Sequence, residues 1–163
     1  MDVTCVFYLI IRTVNKIESW EKRFIPKLQV KHKHFAKKVF HRLMKKSATL
    51  KSSLKRRSKE YEVECNISLD EIRGLFLTVY GKKCRYCDNT LDVSNLVCDH
   101  IYPVSMGGNS DGNNLQIICA RCNTRKGSLT HREYKKLLFW LRKQSDNLQS
   151  YVLRKLAKGD IFK

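Results

Sequence analysis

Cys84-Arg-Tyr-Cys87 and Cys119-Ala-Arg-Cys122 constrain what this chain can fold into more than any other feature. Each two-residue spacer lets a tight turn aim both sulfurs at one point, and a tetrahedral zinc ion takes four such soft donors. A redox pair or coincidence are the competing readings, but two matched pairs together favour one metal site. Four thiolates leave zinc no open position, so the site reads as structural, not catalytic. The 31 residues between the pairs exceed the usual zinc-ribbon spacing. Something is therefore inserted inside the metal loop.

The remaining cysteines do not suggest a secreted disulfide scaffold. The total, seven, is odd, and four belong to the two pairs. The apolar run Val6–Ile11 follows an acidic start and lacks a small-residue cleavage site, which makes it a poor signal peptide. A reducing, intracellular setting keeps thiolates available for metal. Cys5, Cys65 and Cys98 read as core filling.

At 163 residues there is room for one ordinary domain with appendages. The net charge of +18 makes a polyanion the default partner, with nucleic acid ahead of an acidic membrane surface. No apolar stretch approaches the length needed to span a bilayer. The charge is unevenly placed. Residues 21–60 carry 15 basic and 2 acidic side chains, residues 61–124 carry 5 and 8, and residues 125–163 carry 11 and 3. Two basic arms suited to a phosphate backbone flank a slightly acidic middle suited to a metal. The implied organisation is a basic helical region over 1–60, a central domain over 61–130 and a helical extension over 131–163.

Along the chain, the first twenty residues read as a buried strand or a helix start. Phe35, Val39, Phe40, Leu43 and Met44 recur at helical spacing on a basic amphipathic helix. Residues 47–60 fit a helix or an ordered linker. Tyr61–Ile67 alternates as a short strand would. Ser68 and Glu71 form a capping box for a helix running to about Tyr80 and stopping at Gly81. Thr130 and Glu133 repeat the signal for a helix carrying Tyr134, Leu137, Leu138 and Leu141. Asp146 caps a last helix that ends before Gly159. His32, His34, His41 and His131 lack partners at ligand spacing and read as helix-surface residues.

The insertion carries the chemistry. Leu96-Val97-Cys98 is β-prone and runs into Asp99-His100. A turn-rich loop over 105–113 follows, and Asn114–Ile118 returns as a second strand into Cys119. Asn123, Arg125, Lys126 and Gly127 then open a short helix. His100 titrates near neutrality when unperturbed and can accept a proton from water. Asp99 and Asn123 offer hard oxygens suited to Mg²⁺ or Mn²⁺, although Asn123 would serve equally as a helix cap. Asn114 suits tying the loop by side-chain hydrogen bonds. Arg121, Arg125 and Lys126 are candidate phosphate contacts.

The string DHI-x-P-x-S-x-GG, then NNLQ, then C-x-x-CN-x-x-KG resembles the HNH endonuclease family. The resemblance covers residues 61–128 and implies an α+β fold: a ββα-metal (His-Me finger) core, here stapled by the four-cysteine site and flanked by basic helices. It places the family's first histidine on His100, its central asparagine on Asn114 and its last position on Asn123, where asparagine is a frequent variant of histidine. It implies Asp99 and Asn123 as ligands of a catalytic divalent ion. The implied reaction is DNA phosphodiester hydrolysis leaving 5′-phosphate and 3′-hydroxyl ends. Small size and basic flanks are similar to intron- or phage-borne homing endonucleases, with a restriction or packaging nuclease equally compatible. A zinc-stapled DNA-binding module without chemistry is the alternative, and a monomer or homodimer are both compatible with the sequence.

Overall fold

The computed structural model describes residues 16–23, 25–27 and 33–158. The sequence expectations for Cys5, the apolar run 6–11, His32 and Gly159 lie outside these residues. Two compact units divide at Met44 and Lys45. In the first, residues 16–23 are helical, with the Arg23 guanidinium 4.8 Å from the Trp20 ring centroid.

The 28-residue helix α1 (Lys33–Glu60) joins the two stretches that the sequence left separate. No glycine or proline interrupts it. Val39, Phe40, Leu43 and Met44 are buried as expected, together with Ala36. Phe35 departs from the stripe and is 54% exposed. Within the second unit, Ser47, Leu54 and Ser58 continue a buried face at helical spacing.

Tyr61–Ile67 is not a strand. Its burial alternates, but its backbone meets two loop residues, Asn109 and Ser110, and no strand. Asn66 and Ile67 N–H donate to the Ser110 carbonyl at 3.1 and 3.2 Å, and Ser110 N–H donates to Glu64 O at 2.8 Å. Alternation without a partner strand gives an extended segment and no ladder.

Helix α2 (Leu69–Val79) carries the expected capping box at both of its reciprocal bonds. Gly81 follows in the left-handed region, at φ 78°. A short loop closed by Gly81 N–H to Leu91 O and Leu91 N–H to Lys82 O, both 2.8 Å, presents Cys84 and Cys87.

Strands β1 (Leu96–His100) and β2 (Leu115–Cys119) then pair antiparallel, with Asp99 opposite Gln116 and Leu96 opposite Cys119. Helix α3 (Ala120–Lys126) packs on both strands and completes a ββα unit in an α+β fold. It starts earlier than expected because Cys119 is its N-cap, Sγ accepting from Cys122 N–H at 3.4 Å. Helix α4 (His131–Leu141) has the second capping box. Helix α5 (Asp146–Lys158) starts at Asp146 itself and packs on α3 without a fully buried residue. No described helix is long and apolar enough to cross a membrane.

The loop between the strands is built around Gly108. A Cβ there would fall on the Tyr102 carbonyl oxygen and within 2.9 Å of Asn114 Nδ2 and of Pro103 O. Gly108→Ala should therefore cost roughly 1–3 kcal/mol, read as a lower urea midpoint at unchanged m-value. Gly112→Ala, whose Cβ would meet Glu71 Oε1 at an ordinary 3.6 Å, is the near-neutral control.

Candidate metal and active site

The four sulfurs of Cys84, Cys87, Cys119 and Cys122 lie within 4.8 Å of one another. Cys87 and Cys119 stand 3.6 Å apart, well beyond a disulfide bond. Sulfurs at ~2.3 Å from a tetrahedral ion are about 3.8 Å apart. The cluster thus has the spacing a four-coordinate thiophilic cation needs. Its charge behaviour agrees. The Cys84 thiol is drawn down to about 4, first by a hydrogen bond from Cys122. Cys122 and Cys119 are pushed up, the first chiefly by that shared bond and the second by burial. Arg121 sits beside this cluster, bonded to Cys87 and donating to Asn89 Oδ1 at 3.2 Å.

A second centre forms where β1 ends against α3. A cavity of about 320 Å³ is lined by Asp99, His100, Asn123 and Lys126, with Cys98 and Arg57 beside them. Asn114, Arg121 and Arg125 are not on it.

Asp99 is buried, and both its oxygens are engaged: Lys126 Nζ donates to Oδ1 at 3.1 Å and Gln116 Nε2 to Oδ2 at 2.8 Å. Burial raises its pKa against the lowering by these two donors. Lys126 departs from the expectation of a surface phosphate contact. It is 1% exposed, and its ammonium also donates to the His100 carbonyl at 2.8 Å. A buried ammonium needs a paired carboxylate, and Asp99 is that partner.

His100 is buried, with Nε2 2.9 Å from Ser110 Oγ, which is in turn 2.8 Å from Ser58 Oγ. Burial, then the charges of Arg57 and Lys126, draw its pKa down to about 4. Its imidazole is therefore neutral at pH 7. Burial pushes the Cys98 thiol up to about 12, which makes it a poor nucleophile. Asn123 lies inside α3 rather than at its cap, and it lines the cavity.

Asn114 laces the loop. Its Oδ1 accepts from Tyr102 N–H at 2.8 Å, and its Nδ2 donates to Tyr102 O and Asn109 O at 3.0 and 2.7 Å. Ile101 N–H donates to Asn114 O at 2.8 Å, which fixes the chain directly after His100.

Sequence reasoning missed a buried network behind Asp99. Gln116 Nε2 also donates to Tyr86 Oη at 2.8 Å, and Tyr86 Oη lies 2.6 Å from His131 Nδ1. His131 is thus a partnered residue, contrary to its reading as a helix-surface histidine. Its backbone N–H also donates to Ile101 O at 2.8 Å. His34 and His41 are exposed on α1, as expected. The overlooked signal was Gln116 itself, a polar residue inside the otherwise apolar strand Leu115–Cys119.

Residues 84–129 match the HNH endonuclease family model. This segment is an HNH domain. It contains both cysteine pairs, both strands and α3, so the ββα unit described above is the HNH domain's ββα-metal core. No curated protein matches the chain.

Gln116→Leu removes the donor to Asp99 Oδ2 and leaves a buried carboxylate oxygen without it. The expected cost is about 1–3 kcal/mol of stability, seen in urea unfolding. Gln116→Glu should cost more, because it sets a second carboxylate against the first.

Proposed function

We propose that this chain is a metal-dependent DNA endonuclease that hydrolyses phosphodiester bonds. One observation supports it above others: Asp99, His100 and Asn123 line a single cavity inside the segment that matches the HNH model. The net charge of +18 suits a polyanionic substrate.

The residues divide the work as follows. With Nε2 tied to Ser110, Nδ1 is the ring nitrogen left to His100 for taking the proton of the attacking water. Asp99 and Asn123 supply the carboxylate and amide oxygens for Mg²⁺ or Mn²⁺; each carboxylate oxygen keeps a lone pair beyond its present bond. When bound, such an ion compensates charge on the phosphate and on the departing 3′ oxygen. Asn114 holds the loop that carries His100, and Lys126 holds Asp99 and the His100 carbonyl in place. The products expected from the family resemblance are 5′-phosphate and 3′-hydroxyl ends. The basic flanks fit a homing or phage-type nuclease, a restriction nuclease or a packaging nuclease alike, and cleavage-site mapping on a long DNA shows how specific the cutting is.

A second reading rests on Asp99, whose carboxylate is already satisfied by Lys126 and Gln116. A zinc-stapled DNA-binding module would need no more than that. Plasmid incubation separates the two. The nuclease nicks supercoiled DNA with Mg²⁺ or Mn²⁺, loses activity in EDTA, and as His100→Ala still binds DNA but no longer nicks it. A wild type that binds without nicking, in either metal, decides for the module.

The four-cysteine cluster is proposed to hold one structural Zn²⁺. Elemental analysis should find about one zinc per chain. Cys122→Ser should lose it together with cooperative unfolding, because Cys122 both binds the ion and adjoins Asn123. Cys65→Ser, half-exposed and outside the cluster, should keep it. Stoichiometric zinc retained by Cys122→Ser would contradict the assignment.

A further inference from the structure

The HNH match begins at Cys84, yet the cavity is not built from that segment alone. Arg57, in the last turn of α1, lines it beside Asp99, His100 and Asn123. Both the helix end and the ββα unit belong to the second compact unit.

The placement of this helix end is anchored, not incidental. Ser58, the next residue, is buried, and its Oγ reaches His100 Nε2 through Ser110 in two hydrogen bonds of 2.8 and 2.9 Å. Its carbonyl accepts from Val63 N–H at 2.9 Å, and the Arg57 carbonyl from Tyr61 N–H at 3.0 Å. The same turn that sets the His100 ring also presents the Arg57 side chain.

The cavity lining holds two cations, Arg57 and Lys126, and one carboxylate, Asp99. Lys126 is committed to Asp99. Arg57 is exposed and has no carboxylate partner among the described residues. An exposed guanidinium on a cavity whose one carboxylate is already held by Lys126 is set up for an external anion. Its fork of N–H donors matches two non-bridging oxygens of one phosphodiester.

We infer that Arg57 is the phosphate-binding residue of this site, supplied from outside the HNH segment and holding the phosphodiester over His100. The inference rests on the nuclease reading for its catalytic consequence, but the binding it asserts is separable.

Two arms test it. In the His100→Ala background, DNA affinity is measured against salt concentration. Arg57→Ala should shallow the slope of log affinity on log salt by about 1, the loss of one phosphate contact. In the active background, Arg57→Ala should lower kcat by about 100-fold or more, as for removal of one transition-state donor. Arg57→Lys should restore part of that loss, since it keeps charge but not the fork. Added guanidinium ion should raise the rate of Arg57→Ala and not of wild type. Arg56→Ala, its neighbour off the cavity, should keep the wild-type kcat. An unchanged salt slope for Arg57→Ala overturns the inference, as does a kcat within twofold of wild type. If wild type fails to cleave at all, the nuclease reading falls, and the salt slope still decides whether Arg57 holds a phosphate.

Discussion

Two five-residue strands make a sheet too small to persist on its own in water. Beside this one four cysteine sulfurs converge within 4.8 Å, where the loop before β1 meets the junction of β2 and α3. Zinc there would convert a marginal hairpin into a rigid platform, at a free energy that small metal-stapled domains draw on to fold at all.

From that platform the second centre follows. Asp99 is presented by strand register opposite Gln116, His100 by the end of β1, and Asn123 by the turn directly after the last cysteine. The surrounding hydrogen bonds have one common effect, which is to remove freedom from Asp99 and His100. Lys126 and Gln116 grip the carboxylate, Ser110 orients the imidazole, and Asn114 ties the backbone that leaves it. Pre-set groups of this kind are what phosphodiester hydrolysis needs, since little reorganisation energy is left to spend at the transition state. The grip also has a cost: the Lys126 ammonium shares the carboxylate with any incoming divalent ion.

Much of this was legible in the residues. Matched cysteine pairs, a histidine behind an aspartate, and glycines between two β-prone runs all act through local geometry, and local geometry can be read from spacing. The two capping boxes were legible for the same reason. What escaped depends on contacts between distant segments. Gln116 becomes a partner of Asp99 only once register is known, and Tyr86 and His131 join through it. Lys126 read as a phosphate contact because nothing local reveals that the end of β1 folds against it. Tyr61–Ile67 alternates correctly but meets a loop instead of a strand. Ser58 and Arg57 sat within a basic run whose composition spoke of DNA and concealed their approach to His100.

The central claim is that Asp99 and Asn123 share a divalent cation separate from the one among the sulfurs. Anomalous scattering from crystals of the His100→Ala protein, grown with Mn²⁺ and measured at the manganese and zinc edges, addresses it directly. The account predicts a zinc peak among Cys84, Cys87, Cys119 and Cys122, and a manganese peak in the cavity in contact with Asp99 and Asn123. Manganese absent from that cavity at saturating concentration, with Asp99 still closed by Lys126 and Gln116, would contradict it.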